Sequence, residues 1–185
     1  MSKQRSSTEP IAGDIMSAPG IACEEEAGLE QVAELLADRE ISGVPVVNEA
    51  GEVTGIISER DIAHGLGTPL IRLIIGRPMH TGSFLRTPDP VRNETRRAKD
   101  IMTTPAIVAS PRTPLHKLAD IMVTERINRI PVVRSHRLVG VVTRGDVLAA
   151  IGGKSRRRAE LDEPPLILGA NGHRAAQASE YTDRR

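Results

Sequence analysis

The chain contains itself twice, and no other feature of its sequence limits the possible folds as strongly. Asp14-Ile15-Met16-Ser17-Ala18-Pro19 recurs 86 residues later as Asp100-Ile101-Met102-Thr103-Thr104-Pro105. In the same register Leu29 maps to Leu115, Ala33 to Ala119, Ile41 to Ile127 and Pro45-Val46-Val47 to Pro131-Val132-Val133. Further on the offset is 85, so that Gly55 maps to Gly140 and Asp61 to Asp146. The residue lost falls between Asn48-Glu49-Ala50-Gly51 and Arg134-Ser135-His136, where a hairpin turn absorbs it. The chain is two copies of one supersecondary unit.

Each copy reads as β-α-β-β-α. Ile21-Ala22-Cys23 and Ile107-Val108-Ala109 are short strand candidates just after a proline. Leu29, Val32, Ala33 and Leu36, and then Leu115, Leu118, Ala119 and Met122, give the i, i+3, i+4, i+7 stripe of an amphipathic helix. Thr113-Pro114 predicts an N-cap with proline at the first helical position. Val44 to Val47 with Val53 to Ile57, and Ile130 to Val133 with Leu138 to Val142, read as hairpins, each followed by a helix from Ser58 or Thr143. The organisation expected is a loose segment 1–11, a first repeat 12–67, a Pro-containing and partly basic connector 68–97, a second repeat 98–152 and a disordered tail 153–185. Within the connector, Leu70 to Ile75 reads as a short helix.

Composition narrows the function. Of 185 residues, 25 are Lys or Arg and 24 Asp or Glu, so whole-molecule attraction to nucleic acid or to a membrane is not expected. One Phe, one Tyr and no Trp exclude aromatic platforms for single-stranded nucleic acid. Cys23 is the lone cysteine, which excludes an internal disulfide and a cysteine-built zinc site, and the five histidines show no metal-ligand spacing. No nucleophile motif and no Walker-type phosphate loop is present. The start, MSKQRSSTEP, lacks an apolar signal core, so a cytoplasmic protein outside the membrane is expected. Arg92 to Lys99 and Lys154 to Arg158 read as solvated charge at the margins of the folded part.

The order DIM(S/T)xP, amphipathic helix, hydrophobic-Pro-Val-Val, hairpin and Gly-h-h-(S/T)-x-x-Asp resembles the CBS (cystathionine-beta-synthase) domain, and two in tandem resemble a CBS pair, or Bateman module. The resemblance implies an α+β fold of two β-α-β-β-α repeats packed through their sheets about a pseudo-two-fold axis. It implies a non-catalytic regulatory module with two clefts for adenosine-containing ligands, namely AMP, ADP, ATP or S-adenosylmethionine. No obligatory cofactor, a homodimer and an effector protein as partner are implied with it. The alternatives are a ligand-free dimerisation scaffold and a nucleic-acid-binding protein using the Arg/Lys runs.

The residues themselves suggest where a nucleotide would sit. Ser58-Glu59-Arg60-Asp61 and Thr143-Arg144-Gly145-Asp146 each put a hydroxyl at a helix start and a carboxylate three residues on. Helix N-termini suit phosphate, and a carboxylate accepts two hydrogen bonds from a ribose diol. The same pattern is also a capping box, in which Asp bonds back to the cap. Arg129, after Asn128, aligns with Gly43, and Arg144 with Glu59, so cleft 2 is the one expected to favour an anion: Asn128, Arg129, Thr143, Arg144 and Asp146. Ser58, Arg60 and Asp61 are the weaker set in cleft 1. The resemblance further implies that adenine lies against first-strand main chain and apolar neighbours: Ala106, Ile107, Val108, Ile130 and Pro131 in cleft 2, and Ile21, Ala22, Val44 and Pro45 in cleft 1.

Overall fold

A computed structural model describes residues 9–66, 96–153, 164–170 and 174–176. The expected helix at Leu70 to Ile75, Arg92 and the run Lys154 to Arg158 lie outside the described residues. The chain divides into two compact units whose boundaries are not those of the sequence repeats. One unit joins Ile21–Ala106 with Leu166–Arg185 and contains most of copy one; the other joins Met1–Gly20 with Ile107–Pro165 and contains most of copy two. Each unit therefore includes the opening DIM segment of the other copy.

In the copy-one unit, β1 (Ile21–Glu24), α2 (Leu29–Asp38), β2 (Gly43–Val47), β3 (Val53–Ser58) and α3 (Glu59–Leu66) follow the expected order. Helix α1 (Ala12–Ile15) precedes them in sequence but belongs to the other unit. Strands β2 and β3 form the hairpin, with Asn48 Oδ1 accepting the Glu52 N–H at 2.9 Å and Gly51 supplying φ +76° at the turn. β1 runs parallel to β2, with Cys23 opposite Val46. Leu29, Val32, Ala33, Leu35 and Leu36 of α2 bury against Val44, Val46 and Ile57. The opening segment of copy two completes this unit through α4 (Ala98–Ile101). Ala98 N–H donates to Ala27 O (2.9 Å), and Ile56 and Thr103 exchange a reciprocal pair of bonds at 3.0 and 2.9 Å.

The copy-two unit repeats these contacts with the roles exchanged. It contains α5 (Leu115–Thr124), β4 (Arg129–Arg134), β5 (Arg137–Thr143) and α6 (Arg144–Ile151), together with α1 from the start of the chain. Ala12 N–H donates to Thr113 O at 2.8 Å, and Ser17 and Val141 exchange bonds at 2.9 and 3.0 Å. These are the counterparts, residue for residue, of the Ala98 and Thr103 bonds. The β4–β5 hairpin closes on Ser135 and His136, both at positive φ, a primed two-residue turn; the shorter loop is where the repeat loses its residue.

Four expectations are corrected. Ile107 to Ala109 is not a strand: only Ala109 bridges Val132, because two main-chain bonds, Ala109 N–H to Pro131 O and Val133 N–H to Ala109 O, are all the pairing it makes. Thr113 is not the cap of α5, since its hydroxyl oxygen accepts the Ser110 N–H at 3.0 Å and Pro114 takes the cap position. Residues 9–11 are fastened rather than loose: Glu9 accepts both the backbone N–H (2.9 Å) and ring Nδ1 (2.6 Å) of His116, and Pro10 O accepts Leu115 N–H. Those bonds, the backbone one foremost, hold the Glu9 carboxyl below its ordinary range. Within the segment read as a disordered tail, Leu166–Leu168 forms β6 and Arg174–Ala176 forms β7. The copy-one sheet thus has the order β3-β2-β1-β6-β7, whereas among the described residues copy two has only the β4–β5 pair.

The repeated Met and the repeated Gly turn out to be partners. A Cβ at Gly140 would meet Met16 Sδ at 2.6 Å and Ser17 O at 2.8 Å; at Gly55 it would meet Met102 Sδ at 2.5 Å and Thr103 O at 3.0 Å. The thioether can swing aside, but the carbonyl is held in a backbone bond. Gly140→Ala is therefore expected to destabilise by ~1–3 kcal/mol. Gly145→Ala, whose Cβ would find only Thr143 Oγ1 at 3.6 Å, should change little. Urea denaturation midpoints of the two variants check this, and equal midpoints would refute it.

Candidate functional site

The two S/T-x-x-D segments have the same geometry in their separate units. In copy two, Asp146 Oδ2 accepts from Thr143 N–H (2.8 Å) and from the Thr143 hydroxyl (2.6 Å), while Asp146 N–H points back to Thr143 Oγ1 at 3.3 Å. In copy one, Asp61 Oδ2 accepts from Ser58 N–H (2.8 Å) and hydroxyl (2.6 Å), with Asp61 N–H at 3.4 Å from Ser58 Oγ. Both are capping boxes in which the Asp takes the part usually played by Glu or Gln. The Arg144 N–H is also engaged, by Asn128 O at 2.9 Å, and the Glu59 N–H by Ser42 O at 3.1 Å. Three of the first four amides of each helix are thus satisfied from within the chain, which reduces what the helix end offers an anion.

The surrounding residues differ between the copies. In copy two, Arg129 stands opposite Thr143 in the β4–β5 register, at the strand end that leads into α6. Arg129, Asn128, Thr143, Arg144 and Asp146 are thereby gathered at one corner of the unit. Asp146 is 7% exposed, the one buried charged side chain among the described residues. In copy one the same place holds Gly43 opposite Ser58, with Glu59 and Arg60 exposed beside Asp61.

The apolar positions are distributed unequally. Ile130 and Pro131 are buried in β4, Ile107 is half-buried and Val108 is 40% exposed. Ala106 belongs to the copy-one unit, where its N–H donates to Thr54 O at 3.3 Å. Ile21, Ala22, Val44 and Pro45 all lie in the copy-one sheet, on adjacent strands β1 and β2. There the outer edge of β1 is covered: Ile21, Ala22 and Cys23 pair with Leu166, Ile167 and Leu168. Sequence reasoning missed this strand, although Pro164-Pro165-Leu166-Ile167-Leu168-Gly169 carries the signal of a short aliphatic run bounded by breakers. Among the described residues no group of three His, Cys, Asp or Glu side chains is placed to hold a metal ion, and no helix is long and apolar enough to cross a membrane.

A model of the CBS domain matches residues 12–67 and 98–153. The chain belongs to the CBS domain family. It is 34% identical over 153 residues to the uncharacterized protein MJ1426 of Methanocaldococcus jannaschii, covering 75% of this chain and 89% of that one. The CBS domain pair of protein MJ0100, solved with 5′-methylthioadenosine and S-adenosyl-L-methionine, is similar with a TM-score of 0.61 and 28% identity, covering 80% of this chain and 99% of that one. CBSX2, solved in complex with AMP, shares the fold at a TM-score of 0.60 and 22% identity, over 78% and 97% of the two chains. The chain spans 43, 14 and 24% of three longer curated relatives, so the activities of those whole proteins are not carried over.

Cys23 reports on the CBS sheet of copy one. It is fully buried on β1, and burial pushes its thiol up to about 12, with Glu24 adding to the shift. The folded thiol titrates above its unfolded value of about 9, so its stabilising contribution is complete below pH 9 and is lost as pH rises towards 12. At pH 8 a disulfide reagent should react with Cys23 only through opening of the sheet. Labelling rates should rise with urea in step with unfolding, and prompt stoichiometric labelling of the native protein would contradict the burial.

Proposed function

We propose that this CBS pair is a non-catalytic regulatory module that binds an adenosine-containing ligand and passes its bound or empty state to a partner protein. The ligand class is AMP, ADP, ATP or S-adenosylmethionine. The observation that carries the reading is the fixed hydroxyl–carboxylate corner of copy two, with Arg129 at the facing strand end. The 28%-identical CBS pair solved with 5′-methylthioadenosine and S-adenosylmethionine supports it. Asp146 receives the ribose diol, whose two hydroxyls donate to its carboxylate. The base lies against the main chain of the first strand, next to Ile107, Val108, Ile130 and Pro131. Because the helix end is capped from within, phosphate recognition falls to the guanidinium groups of Arg129 and Arg144. The ligand biases one arrangement of the module over another, and that bias is the signal.

Hydrogen bonds to a charged group contribute roughly 1.5–3 kcal/mol each before desolvation. Since about 1.4 kcal/mol is tenfold in affinity, Arg129→Ala is expected to weaken AMP and ATP by about tenfold or more while sparing 5′-methylthioadenosine. Asp146→Ala should weaken all of them, and Asp61→Ala should matter less. Calorimetry with this panel decides; a loss on Asp61→Ala with Asp146→Ala intact would assign the site to the wrong copy.

A specific observation also favours self-association. Val123, Leu148 and Ile151, on helices α5 and α6, are 75, 62 and 67% exposed, where copy one has Ala37 and Ala63 at the places of Val123 and Leu148. Such side chains on neighbouring helices suit a homodimer contact, which would serve a ligand sensor and a ligand-free scaffold equally. Light scattering should give about twice the 20.0 kDa chain mass, and Leu148→Asp with Ile151→Asp should halve it. A wild-type monomer at micromolar concentration would dismiss the contact.

A further inference from the structure

The outer edge of the first strand separates the two copies most sharply. In copy one Leu166, Ile167 and Leu168 run parallel along Ile21, Ala22 and Cys23, and Ile167 and Leu168 are only 4 and 7% exposed. Leu168 packs into the same core as Val32, Val46 and Ile57. The added strand has defined ends. Pro164 and Pro165 have no N–H to offer a ladder, and past the strand the Ala170 N–H donates to Glu24 Oε2 at 3.1 Å. In copy two Ala109 bridges Val132 of β4, but no strand is added on the outer side of Ile107 to Ala109 among the described residues, and Ser110 stands where copy one has Glu24.

We propose that Pro164–Ala170 is a built-in occupant of the β1 edge that closes copy one to the adenosine ligand, so that each chain takes one ligand, in copy two. This rests on the reading above, in which the base uses first-strand main chain. A strand ladder and a purine edge call on the same N–H and C=O groups, and a main-chain group already paired within a sheet is not available to a ligand. The occupant is also removable. It is held by three ladder positions, two buried aliphatic side chains and one carboxylate–amide bond, and all of these come from one short segment outside both repeats. Anything that draws the tail away would therefore open a second site.

The test uses the full chain and S-adenosylmethionine as the probe. Ile167→Asp puts a charge on the buried face of β6, Glu24→Ala removes the clamp without entering the core, and Ile167→Val is the conservative control. Cys23 labelling at pH 8 reports independently on release of the edge. The wild type and Ile167→Val should bind one ligand per chain. Ile167→Asp should bind two and label Cys23 at least tenfold faster, and Glu24→Ala should shift both readouts in the same direction, which serves if Ile167→Asp does not fold. On an Asp146→Ala background ligand binding should vanish and then return as one site when Ile167→Asp is added. Two sites in the wild type, or one site in a variant whose Cys23 has become reactive, would overturn the tail's role and leave the adenosine reading standing. Absence of binding in every protein would overturn the adenosine reading and this proposal with it.

Discussion

Two reciprocal pairs of main-chain hydrogen bonds, Ser17 with Val141 and Thr103 with Ile56, fix the architecture on which everything else rests. Each ties the opening segment of one copy to the last strand of the other copy's hairpin, and each requires a glycine next to the bonded position. The short helices α1 and α4 present the segments correctly because Asp14 and Asp100 cap them, accepting the N–H of Ile11 (3.2 Å) and Arg97 (2.7 Å). The Met that follows then lies over Gly140 or Gly55. Asp, Met and Gly of the repeat are thus one device: a cap, a flexible filler and a place without a side chain. Each repeat carries all three parts, but its Asp and Met serve the glycine of the other repeat, so the compact units do not coincide with the repeats.

The second use of aspartate, in Ser58-x-x-Asp61 and Thr143-x-x-Asp146, is a capping box in both copies. Capping and ligand binding appear as rivals for one side chain. The structure shows the capping, and under the proposed reading a ligand would call on the same carboxylate in turn. Two bonds of 2.6–2.8 Å hold each carboxylate against its cap, so a ligand would find it already oriented and would not have to order it. The same bonds occupy the amides that make a bare helix end attractive to phosphate. A capped terminus of this kind selects for the neutral donors of a sugar more than for charge, and discrimination between phosphorylated ligands passes to side chains that differ between the copies.

The duplication, the helix faces and both hairpins were legible because they depend on local periodicity and on turn residues, which a single chain displays directly. The exchange of opening segments was not, since residues 12–20 and 98–106 pair with strands far along the chain and nothing local records the partner. The failed strand at Ile107 to Ala109 has a related cause. Its residues match Ile21 to Cys23 in type, but a strand is defined by what lies beside it, and copy one has a tail strand there. Alignment of the copies picks out Arg129, Asn128, Thr143 and Asp146, which the fold brings to one corner, while the carbonyls of Ser42 and Asn128 that engage the helix amides are invisible because main-chain groups leave no mark in a sequence.

The copies diverge in charge, in both directions: Arg39 of copy one corresponds to Glu125 of copy two. Glu26, Glu40, Glu52 and Glu59 of copy one correspond to Arg112, Arg126, Arg137 and Arg144 of copy two, and Gly43 corresponds to Arg129. Each change on the exposed surface has a small effect by itself, because water and salt screen it. At the corner itself Gly43 gives way to Arg129 and Glu59 to Arg144 while Arg60 is lost to Gly145, a local gain of positive charge that a net charge of +1 for the whole chain conceals. Copy two therefore combines a buried carboxylate with a more cationic surround, and the proposed adenosine reading calls on both. Copy one keeps the carboxylate, sets Glu59 and Arg60 beside it, and pairs its β1 edge with β6, where Glu24 accepts the Ala170 N–H. Two corners of common origin thus differ in charge and in whether the neighbouring strand edge is paired.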